Sequence, residues 1–413
     1  MNPPHHLGRS VWRLALVQAL AGSSATIVFA TGAVIGRDLA PSPDLATLPV
    51  SFFMVGMASA TLPAGALAQR HGRIAVFLIG KLAGVLAGLL GAAAIALHAF
   101  ALFCVAIFLS GVHAAVLMSY RFVAAQCVAA DQRPRAVATV LAGGIVAGLC
   151  GGWLATGTMS LVPRFPFLAT YLTMAAIIAG CGLFVARTPL PVLHSRAADE
   201  GRGLGTIARQ PRFLAAIVCG AVSYLLMNYL MTSAPLAMRL HGHAQGQANA
   251  VVQWHVVAMY APSLLTGRLI ARWGTMPVTA LGLLVTLGSA LLGLVGTSNA
   301  LFLASMVVLG IGWNFGFAGA SSMVLECHEP AESARVQAFN DFLIFSIVAV
   351  GSFLSGNILM RFGWEVVCLL AVPLGVMALI ALVLLGRRGR ELPGAEAPKA
   401  VATASLSAQS GIS

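Results

Sequence analysis

The stretch GALAQRHGR occupies residues 65–73 and separates two long apolar runs. It holds two glycines and three basic or potentially basic side chains, Arg70, His71 and Arg73. A related stretch, GRLIARWGT, occupies residues 267–275. Short basic interruptions between apolar runs are typical of the loops that join transmembrane helices. We call these two stretches the first and the second basic turn.

The composition also indicates a membrane protein. Of the 413 residues, 59% are hydrophobic and only 9% are charged, whereas soluble domains carry about 25% charged residues. The net charge is +12, but the basic residues lie in short gaps between apolar runs and form no basic face of a soluble domain. Nucleic acid is therefore not expected as a partner. The apolar run that begins at Trp12 is too long for a cleavable signal.

The apolar runs predict twelve transmembrane helices, since a chain segment in lipid must satisfy its own backbone hydrogen bonds. A polar interruption at about 188–211 predicts a cytoplasmic linker between an N-terminal half (1–187) and a C-terminal half (212–390). The Ala-, Ser- and Pro-rich residues 391–413 predict a disordered tail. The expected fold is an all-α integral membrane protein with two six-helix halves. The predicted spans are 12–36, 45–68, 74–97, 99–125, 136–159, 167–187, 212–238, 246–271, 276–297, 299–324, 334–360 and 364–386.

The distribution of basic residues predicts the orientation in the membrane. Of the 24 Lys and Arg residues, only Arg37, Arg164, Arg239 and Arg361 fall on one side, which leaves 20 for the side that holds both termini, the linker and the basic turns. The positive-inside rule places that second side in the cytoplasm. We therefore expect a multi-pass protein in the lipid of a bacterial inner membrane, with both termini cytoplasmic. We also expect the protein to be a monomer.

The two predicted halves resemble each other. A shift of 202 positions places Gly65, Leu67, Arg70 and Gly72 on Gly267, Leu269, Arg272 and Gly274, and a shift of 200 places Arg135 on Arg335. These matches fall in equivalent loops of a six-plus-six arrangement. Parallel repeats of this kind form one class of transporter, in which the substrate binds between the halves near the midplane.

Over residues 12–386 the sequence resembles the major facilitator superfamily. The first basic turn is similar to the family signature G-x-L-A-D-R-x-G-R, but Gln69 stands where the family has Asp; the matching residues are Gly65, Leu67, Ala68, Arg70, Gly72 and Arg73. The resemblance implies a secondary transporter that moves a small organic molecule (a drug-like compound, a metabolite or a nutrient) by alternating access. The stretch GGIVAGLCGG at 143–152 is partly similar to an antiporter motif, but Leu149 replaces its proline. Close helix packing through small residues explains this stretch better.

The resemblance also implies that the first basic turn has a gating role, through Gly65, Gln69, Arg70, Gly72 and Arg73. In the family, the Asp of this turn is thought to sit near the start of span 11. Because Gln69 is neutral and span 11 carries Asp341, we hypothesise that Asp341 pairs with Arg70 or Arg73. Two alternatives remain: Asp341 complements the positive end of its own helix, or it carries a coupling proton.

Polar side chains at membrane depth are costly and face a cavity or the interior of the bundle. The resemblance implies that spans 1, 4, 7 and 10 line the cavity. His113 and His255 are, with Asp341, proton-coupling candidates, although a buried histidine is also a common interhelical hydrogen-bond partner. The candidate cavity residues are Gln18, Ser24, His113, Tyr120, Tyr224, Asn228, Trp254, His255, Trp313 and Asn314.

Other classes of function have little support in the sequence. It contains no H-E-x-x-H, G-x-S-x-G or P-loop motif, so no enzyme activity is expected. The seven cysteines form no CxxC pair and are expected to be buried thiols, with no metal and no cofactor. Few carboxylates lie at membrane depth, which argues against a strongly cationic substrate. The alternative function is that of a non-transporting receptor or assembly partner with the same fold, and the residues favour neither import nor export.

Overall fold

The computed structural model describes residues 5–128, 133–190, 202–329 and 332–388. The predicted tail, 391–413, lies outside these residues, as do residues 191–201 of the predicted linker. The described residues form fourteen α-helices and one short 3₁₀-helix, Pro43–Leu45, and no β-strand. The helices are α1 (His5–Ala21), α2 (Ser23–Leu39), α3 (Leu48–Ala96), α4 (Phe100–Met118), α5 (Tyr120–Gln126), α6 (Arg133–Thr158), α7 (Leu168–Ala186), α8 (Leu204–Ala208), α9 (Pro211–Leu240), α10 (Gln245–Tyr260), α11 (Ser263–Trp273), α12 (Thr275–Val295), α13 (Asn299–Leu325) and α14 (Ser333–Arg388).

These helices confirm the predicted all-α fold with twelve membrane crossings. Among the described residues, ten helical segments are long and apolar enough to cross a membrane. Span 8 is a further crossing, divided between α10 and α11, and the segment Arg335–Gly386 holds two crossings that turn at Gly363. Spans 1 and 4 are also interrupted, at Gly22 and Ser119. The sequence predicted none of the interruptions within spans 1, 4 and 8.

The two basic turns share one backbone conformation. Gly72 has φ 80° and ψ 167°, and Gly274 has φ 88° and ψ 168°. A positive φ of this size favours glycine, which has no Cβ to clash with the backbone. The two glycines lie 202 positions apart in sequence. The same turn therefore joins spans 2 and 3 and spans 8 and 9, as expected of two repeats.

The glycine-rich segment of α6 joins the two halves. Gly144, Gly148 and Gly152 lie at successive turns of α6 and face α10. A Cβ added at Gly144 would lie 2.6 Å from the ring of Tyr260, and one at Gly152 would lie 2.2 Å from the side chain of Gln253. The small residues therefore allow close helix packing, and this packing bridges the N-terminal and the C-terminal half.

The halves also touch on the side of the membrane away from the basic turns. Arg361, at the turn between spans 11 and 12, forms an ion pair with Asp44. The Nη2 atom of Arg361 lies 3.0 Å from Oδ2 of Asp44. Nearby, Gly356 of α14 packs directly against Thr47. On the opposite side, a cavity separates the halves. We call these two sides the closed side and the open side; the open side holds both basic turns.

The outer surface of the bundle is apolar. Long aliphatic side chains such as Leu82, Leu183 and Leu291 are more than half exposed there. In a water-soluble protein such a surface would be an aggregation hazard, but it suits a protein that lies in lipid. All seven cysteines are free thiols and six of them are buried, as their scattered positions predicted.

Candidate substrate cavity

The cavity between the halves has two lobes. The deep lobe has a volume of about 80 Å³ and is lined by spans 1, 2, 4, 5, 7 and 8. The open lobe has a volume of about 240 Å³ and is lined by spans 4, 5, 8, 10 and 11. Met118 and Tyr260 line both lobes, so the lobes adjoin. A mostly apolar concavity with a few polar groups is the usual form of a small-molecule site.

An aromatic cluster forms the wall of the cavity in the C-terminal half. Tyr224 of α9 contacts Trp313, Phe317 and Phe345 edge to face, with ring centroids 5.6, 5.3 and 5.4 Å apart. Trp313 and Phe317 lie one turn apart on α13, and their rings are stacked at 5.2 Å. Rings that hold one another in place present fixed faces and edges to a ligand. This wall is suited to a flat aromatic solute.

Methionines provide much of the remaining lining of the deep lobe. Met57 and Met118 come from the N-terminal half, and Met227, Met231 and Met259 come from the C-terminal half. Methionine is flexible and polarisable, so it adapts to irregular shapes and makes favourable contacts with aromatic rings. The deep lobe therefore combines an adaptable lining with the fixed aromatic wall.

A small number of polar groups interrupt the apolar lining of the open lobe. The Nε1–H of Trp313 and the Oδ1 of Asn340 are buried and have no hydrogen-bond partner among the described residues. A buried donor or acceptor without a partner costs about 1–3 kcal/mol. One donor and one acceptor of residues that line this lobe are therefore left without a partner.

Two opposite charges face the open lobe from the two halves. Arg121 of α5 and Asp341 of α14 both line it, and they interact electrostatically. The two charges oppose each other, so this pair gives the lobe no excess of either sign. The described residues contain no group of His, Cys, Asp and Glu side chains that could hold a metal ion.

The structure brings six of the predicted site residues to the cavity. Three of these six residues belong to spans 1 and 7 and line the deep lobe, and the other three belong to spans 10 and 11 and line the open lobe. The six residues are Gln18, Ser24 and Tyr224 in the deep lobe and Trp313, Asn314 and Asp341 in the open lobe.

Asn314 lines the cavity, but its side chain is fully occupied by the interruption of span 8. Its Nδ2 donates to the carbonyl of Met259 (2.6 Å) and to Oγ of Ser263 (2.7 Å), and its Oδ1 accepts from Oγ1 of Thr266 (2.5 Å). Pro262 lacks an N–H and interrupts the backbone hydrogen bonds here. Asn314 therefore connects the ends of α10 and α11 and holds them against α13.

Both predicted histidines lie outside the cavity and connect neighbouring helices. The Nδ1–H of His113 donates to the carbonyl of Gly80 (2.9 Å), and that of His255 donates to the carbonyl of Met306 (2.7 Å). Each bond lies within one half. The structure thus places both residues outside the cavity lining that was expected for them, and each forms an interhelical hydrogen bond. Tyr120 is also placed elsewhere: its ring is buried against Phe77 of α3, with centroids 4.3 Å apart.

Two further candidates are not part of the lining. Trp254 is 48% exposed, with its ring on the outer surface of the bundle, which corrects the expectation that it lines the cavity. Asn228 is fully buried on α9, beside the lining residues Met227 and Met231, and neither of its amide atoms has a hydrogen-bond partner among the described residues.

The first basic turn does not contact Asp341 in this conformation. Arg73 donates from Nη2 to Oε1 of Gln126, at the end of α5, and Arg70 and Gly65 are exposed. The side chain of Gln69 lies outside the described part of the structure. Asp341 instead shares the open lobe with Arg121, so the hypothesised pair with Arg70 or Arg73 is absent from the ion pairs of the described residues.

Several lining residues were not predicted from the sequence. Tyr260 and Asn340 belong to the lining, and so do the five methionines of the deep lobe, while Phe345 supports Tyr224 from behind. The spacing of Met227 and Met231 by one helical turn was a usable signal, because these residues share a face with Tyr224. From span 8, Trp254 and His255 were expected in place of Tyr260, and span 11 was not expected to contribute a ring, since the resemblance directed attention to spans 1, 4, 7 and 10.

Two halves of six helices around a central cavity that is open on one side define a transporter of the alternating-access class. The family model of the Major Facilitator Superfamily matches residues 14–253 and 216–411, and the chain belongs to this superfamily. It is thus a multi-pass membrane protein and a secondary transporter of a small molecule.

Individual relatives agree with this assignment. The chain is 41% identical over 379 residues to "Riboflavin transporter RfnT" of Brucella anthropi, which covers 91% of this chain and 95% of the relative. It is 28% identical over 308 residues to "Multidrug resistance protein MdtL" of Klebsiella pneumoniae, which covers 70% of this chain and 74% of the relative. Among solved structures, the human organic anion transporter MFSD10 (TETRAN) superposes with a TM-score of 0.66 at 15% identity, covering 92% of this chain and all of that one. This last likeness shows the fold alone.

Proposed function

We propose that this transporter carries riboflavin or a closely similar flat, uncharged heteroaromatic compound. The observation that carries the proposal is the ring cluster around Tyr224, which lines the methionine-rich deep lobe, while Trp313 and Phe317 line the adjoining open lobe. The 41% identity to a protein named as a riboflavin transporter supports the same class of substrate.

The polar groups of the cavity fit such a solute. A flavin has a flat ring system with hydrogen-bond donors and acceptors at one edge and a hydroxylated chain at the other side. The free Nε1–H of Trp313 and the free Oδ1 of Asn340 offer one donor and one acceptor beside the ring cluster. The opposed charges of Arg121 and Asp341 create no preference for a net anion or cation.

Uptake of radiolabelled riboflavin into proteoliposomes that contain the purified protein tests the proposal directly. We expect saturable uptake that unlabelled riboflavin inhibits. Trp313→Leu should lower the rate at least about tenfold, a loss that corresponds to about 1.4 kcal/mol of interaction. Trp254→Leu is the matched control, because Trp254 lies in a neighbouring span but on the lipid-facing surface. Its rate should stay within about twofold of the unmodified protein.

The outcomes separate the alternatives. Riboflavin binding to the purified protein without uptake would support the receptor function. The relatives named for multidrug resistance suggest export of drug-like compounds as a second candidate. Ethidium, a flat aromatic cation, is the probe for it, and ethidium transport without riboflavin transport would overturn the proposal.

The same proposal includes the arrangement in the membrane. The open side, both termini and the linker (188–211) lie in the cytoplasm, with the halves 1–187 and 212–390 moving against each other and the protein acting as a monomer. The first basic turn (Gly65, Gln69, Arg70, Gly72 and Arg73) helps to close the open side when the halves rock. Reporter fusions after Thr188 and after Gly389 should report the cytoplasm, and a fusion near His241 should report the opposite side. A reversed result at any of these positions would contradict the orientation.

A further inference from the structure

A second group of chemically active side chains lies outside the cavity, within the N-terminal half. Lys81 of α3 is 3% exposed, and His113 of α4 and Tyr120 of α5 are also buried. Lys81 is one of only two lysines in the chain, the other being Lys399. Cys181 of α7 completes the group. We call these four residues the lysine cluster.

The ammonium group of Lys81 has no counter-anion among the described residues. Its Nζ lies 5.2 Å from the ring centroid of Tyr120 and has no hydrogen-bond partner among the described residues. The groups that interact with it electrostatically are Cys181 of α7 and His113 of α4. An ammonium buried in a membrane protein is costly unless it is paired, so its presence at this position indicates a function. Contact with an aromatic ring offsets only part of that cost.

His113 provides a second basic group beside Lys81. Because its Nδ1–H donates to the carbonyl of Gly80, the neutral ring leaves a lone pair on Nε2, which has no hydrogen-bond partner. The carbonyl of Ala21 lies near this ring and near Cys181. It can accept a hydrogen bond from Nε2 once that atom is protonated. Two adjacent cations repel, so Lys81 and His113 hold one proton between them more readily than two.

The lysine cluster lies directly behind two helices that line the cavity. Ala21 is the last residue of α1, and the next residue, Gly22, interrupts span 1. Gln18 before this interruption and Ser24 after it line the deep lobe, as does Gly22 itself. Span 4 has the same two-sided character, since Met118 lines the cavity between the cluster residues His113 and Tyr120. A change of charge in the cluster therefore acts on helices that contact the substrate.

We propose that Lys81 and His113 form a proton-binding site that couples transport to protons. The site takes one proton from water onto Nζ of Lys81 or Nε2 of His113 and later returns it to water, so that no other co-reactant is needed. Binding and release of this proton alter the interruption of span 1 and hence the deep lobe. That this proton drives transport rests on the proposed function. That Lys81 and His113 bind a proton does not depend on it.

The low lysine content allows the site to be observed directly. In full-length protein labelled with ¹⁵N at Nζ of lysine, only two side-chain resonances arise, and Lys399→Arg identifies the one from Lys81. We expect the Lys81 resonance to change between the ammonium and the amine form as the pH is varied, and to shift when riboflavin is added. His113→Gln, which retains a donor for the carbonyl of Gly80 but has no basic nitrogen, should alter this titration. A Lys81 resonance that keeps its ammonium position at every pH at which the protein is folded would overturn the proposal.

Transport measurements test the coupling. Lys81→Leu introduces the residue found at the equivalent position of the C-terminal half, Leu283, and Lys81→Arg retains a permanent charge. Two rates are measured in proteoliposomes. The reference is the exchange of labelled for unlabelled riboflavin without a pH gradient, and the test is the accumulation of riboflavin inside the proteoliposomes under an imposed pH gradient. We expect both variants to lower the ratio of accumulation to exchange at least about tenfold. An unchanged ratio in Lys81→Leu would refute the coupling. Absence of exchange in the unmodified protein would refute the proposed function, while the lysine resonance would still decide the proton site.

Discussion

The helix pair α3–α4 in the N-terminal half and the pair α12–α13 in the C-terminal half are equivalent, yet they pack differently. In the first pair, the ring of Phe77 contacts the ring of Tyr120, the first residue of α5, which continues span 4 after α4. In the second pair, their counterparts Thr279 and Gly319 are in close contact that includes the backbone. A shift of 202 positions relates residues of α3 to those of α12, and a shift of 199 positions relates residues of span 4 to those of α13. Likewise, Gly84 faces the ring of His113, and the equivalent Thr286 faces Gly312.

The difference shows how one half of a repeat protein acquires a site that the other lacks. In the C-terminal half, glycines bring two helix backbones together and leave no room for side chains between them. In the N-terminal half, rings separate the helices and create space for Lys81, whose counterpart is the buried Leu283. The same fold thus provides a tight helix pair on one side and a polar interior on the other.

Exchange of the two counterparts should have the largest effect. Leu283→Lys buries a cation in an apolar core cluster of the C-terminal half, so we expect a loss of at least about 3–5 kcal/mol and little folded protein. Lys81→Leu should change the free energy of unfolding by less than about 2 kcal/mol, since it removes a cation–ring contact and also an unpaired charge. Thermal unfolding in detergent and the amount of protein in the membrane measure both. Equal loss in the two variants would mean that the helix pairs do not differ in the way described.

Substitution of glycine by alanine tests the packing difference without a charge. A Cβ at Gly282 would lie 2.0 Å from the backbone nitrogen of Gly316, whereas one at Gly80 would lie 2.7 Å from the side chain of Val116. Gly282→Ala should cost about 2–3 kcal/mol, and Gly80→Ala should cost less because its overlap, at 2.7 Å, is smaller than the overlap at 2.0 Å. Gly288→Ala is the control on α12, since no atom lies within 4 Å of its Cβ position. It should be neutral or stabilising by up to about 1 kcal/mol.

Asn314 offers a third test, because its counterpart by the shift of 199 is Ala115. The N-terminal half has a continuous helix in span 2 and needs no such side chain, whereas span 8 is interrupted at Pro262. Asn314→Ala should destabilise the protein by about 1–3 kcal/mol, since it leaves the carbonyl of Met259 without its donor. Ser322→Ala on the same helix removes only a bond to the carbonyl of Ala318 and should change stability by less than about 0.5 kcal/mol. Equal stability of the two variants would show that Asn314 does not hold the interruption together.

The fold could be predicted because its main signals are local. Apolar runs, the glycine of each basic turn and the distribution of arginines are readable residue by residue. The direction in which a side chain points is not, since the lipid and the cavity are both apolar. Trp254 and Trp313 look alike in the sequence, but one faces outward and the other lines the cavity.

Lys81 shows a different limit of sequence reasoning. It lies nine residues after Gly72, so counting charges near helix ends assigned it to the cytoplasmic side. The structure buries it among α3, α4 and α7 instead. His113 was recognised as a costly polar residue, but whether it faces the cavity or the interior of its own half depends on packing that no local pattern encodes.

The smallest effect is expected where the linker meets the C-terminal half. Glu332 accepts hydrogen bonds from the backbone N–H of Arg202 (2.7 Å), from its guanidinium (2.8 Å) and from the backbone N–H of Glu329 (3.0 Å). These bonds favour the charged carboxylate and lower the pKa of Glu332 to about 2. In the N-terminal half the residue at the equivalent position is Gln132, by the shift of 200.

Glu332→Gln therefore introduces the neutral counterpart and removes a pH-dependent contribution to stability. A glutamate in an unfolded chain has a pKa of about 4.3. Because the folded-state pKa is lower, the stabilisation by Glu332 is fully present above about pH 4.3 and is lost as the pH falls toward about 2. The melting temperature of the unmodified protein should exceed that of the variant by about 2 °C or less at neutral pH, and the gap should close on acidification. Other carboxylates titrate in both proteins and cancel in the difference. A gap that stays constant with pH would show that the contact stabilises the linker through packing and not through the charge of Glu332.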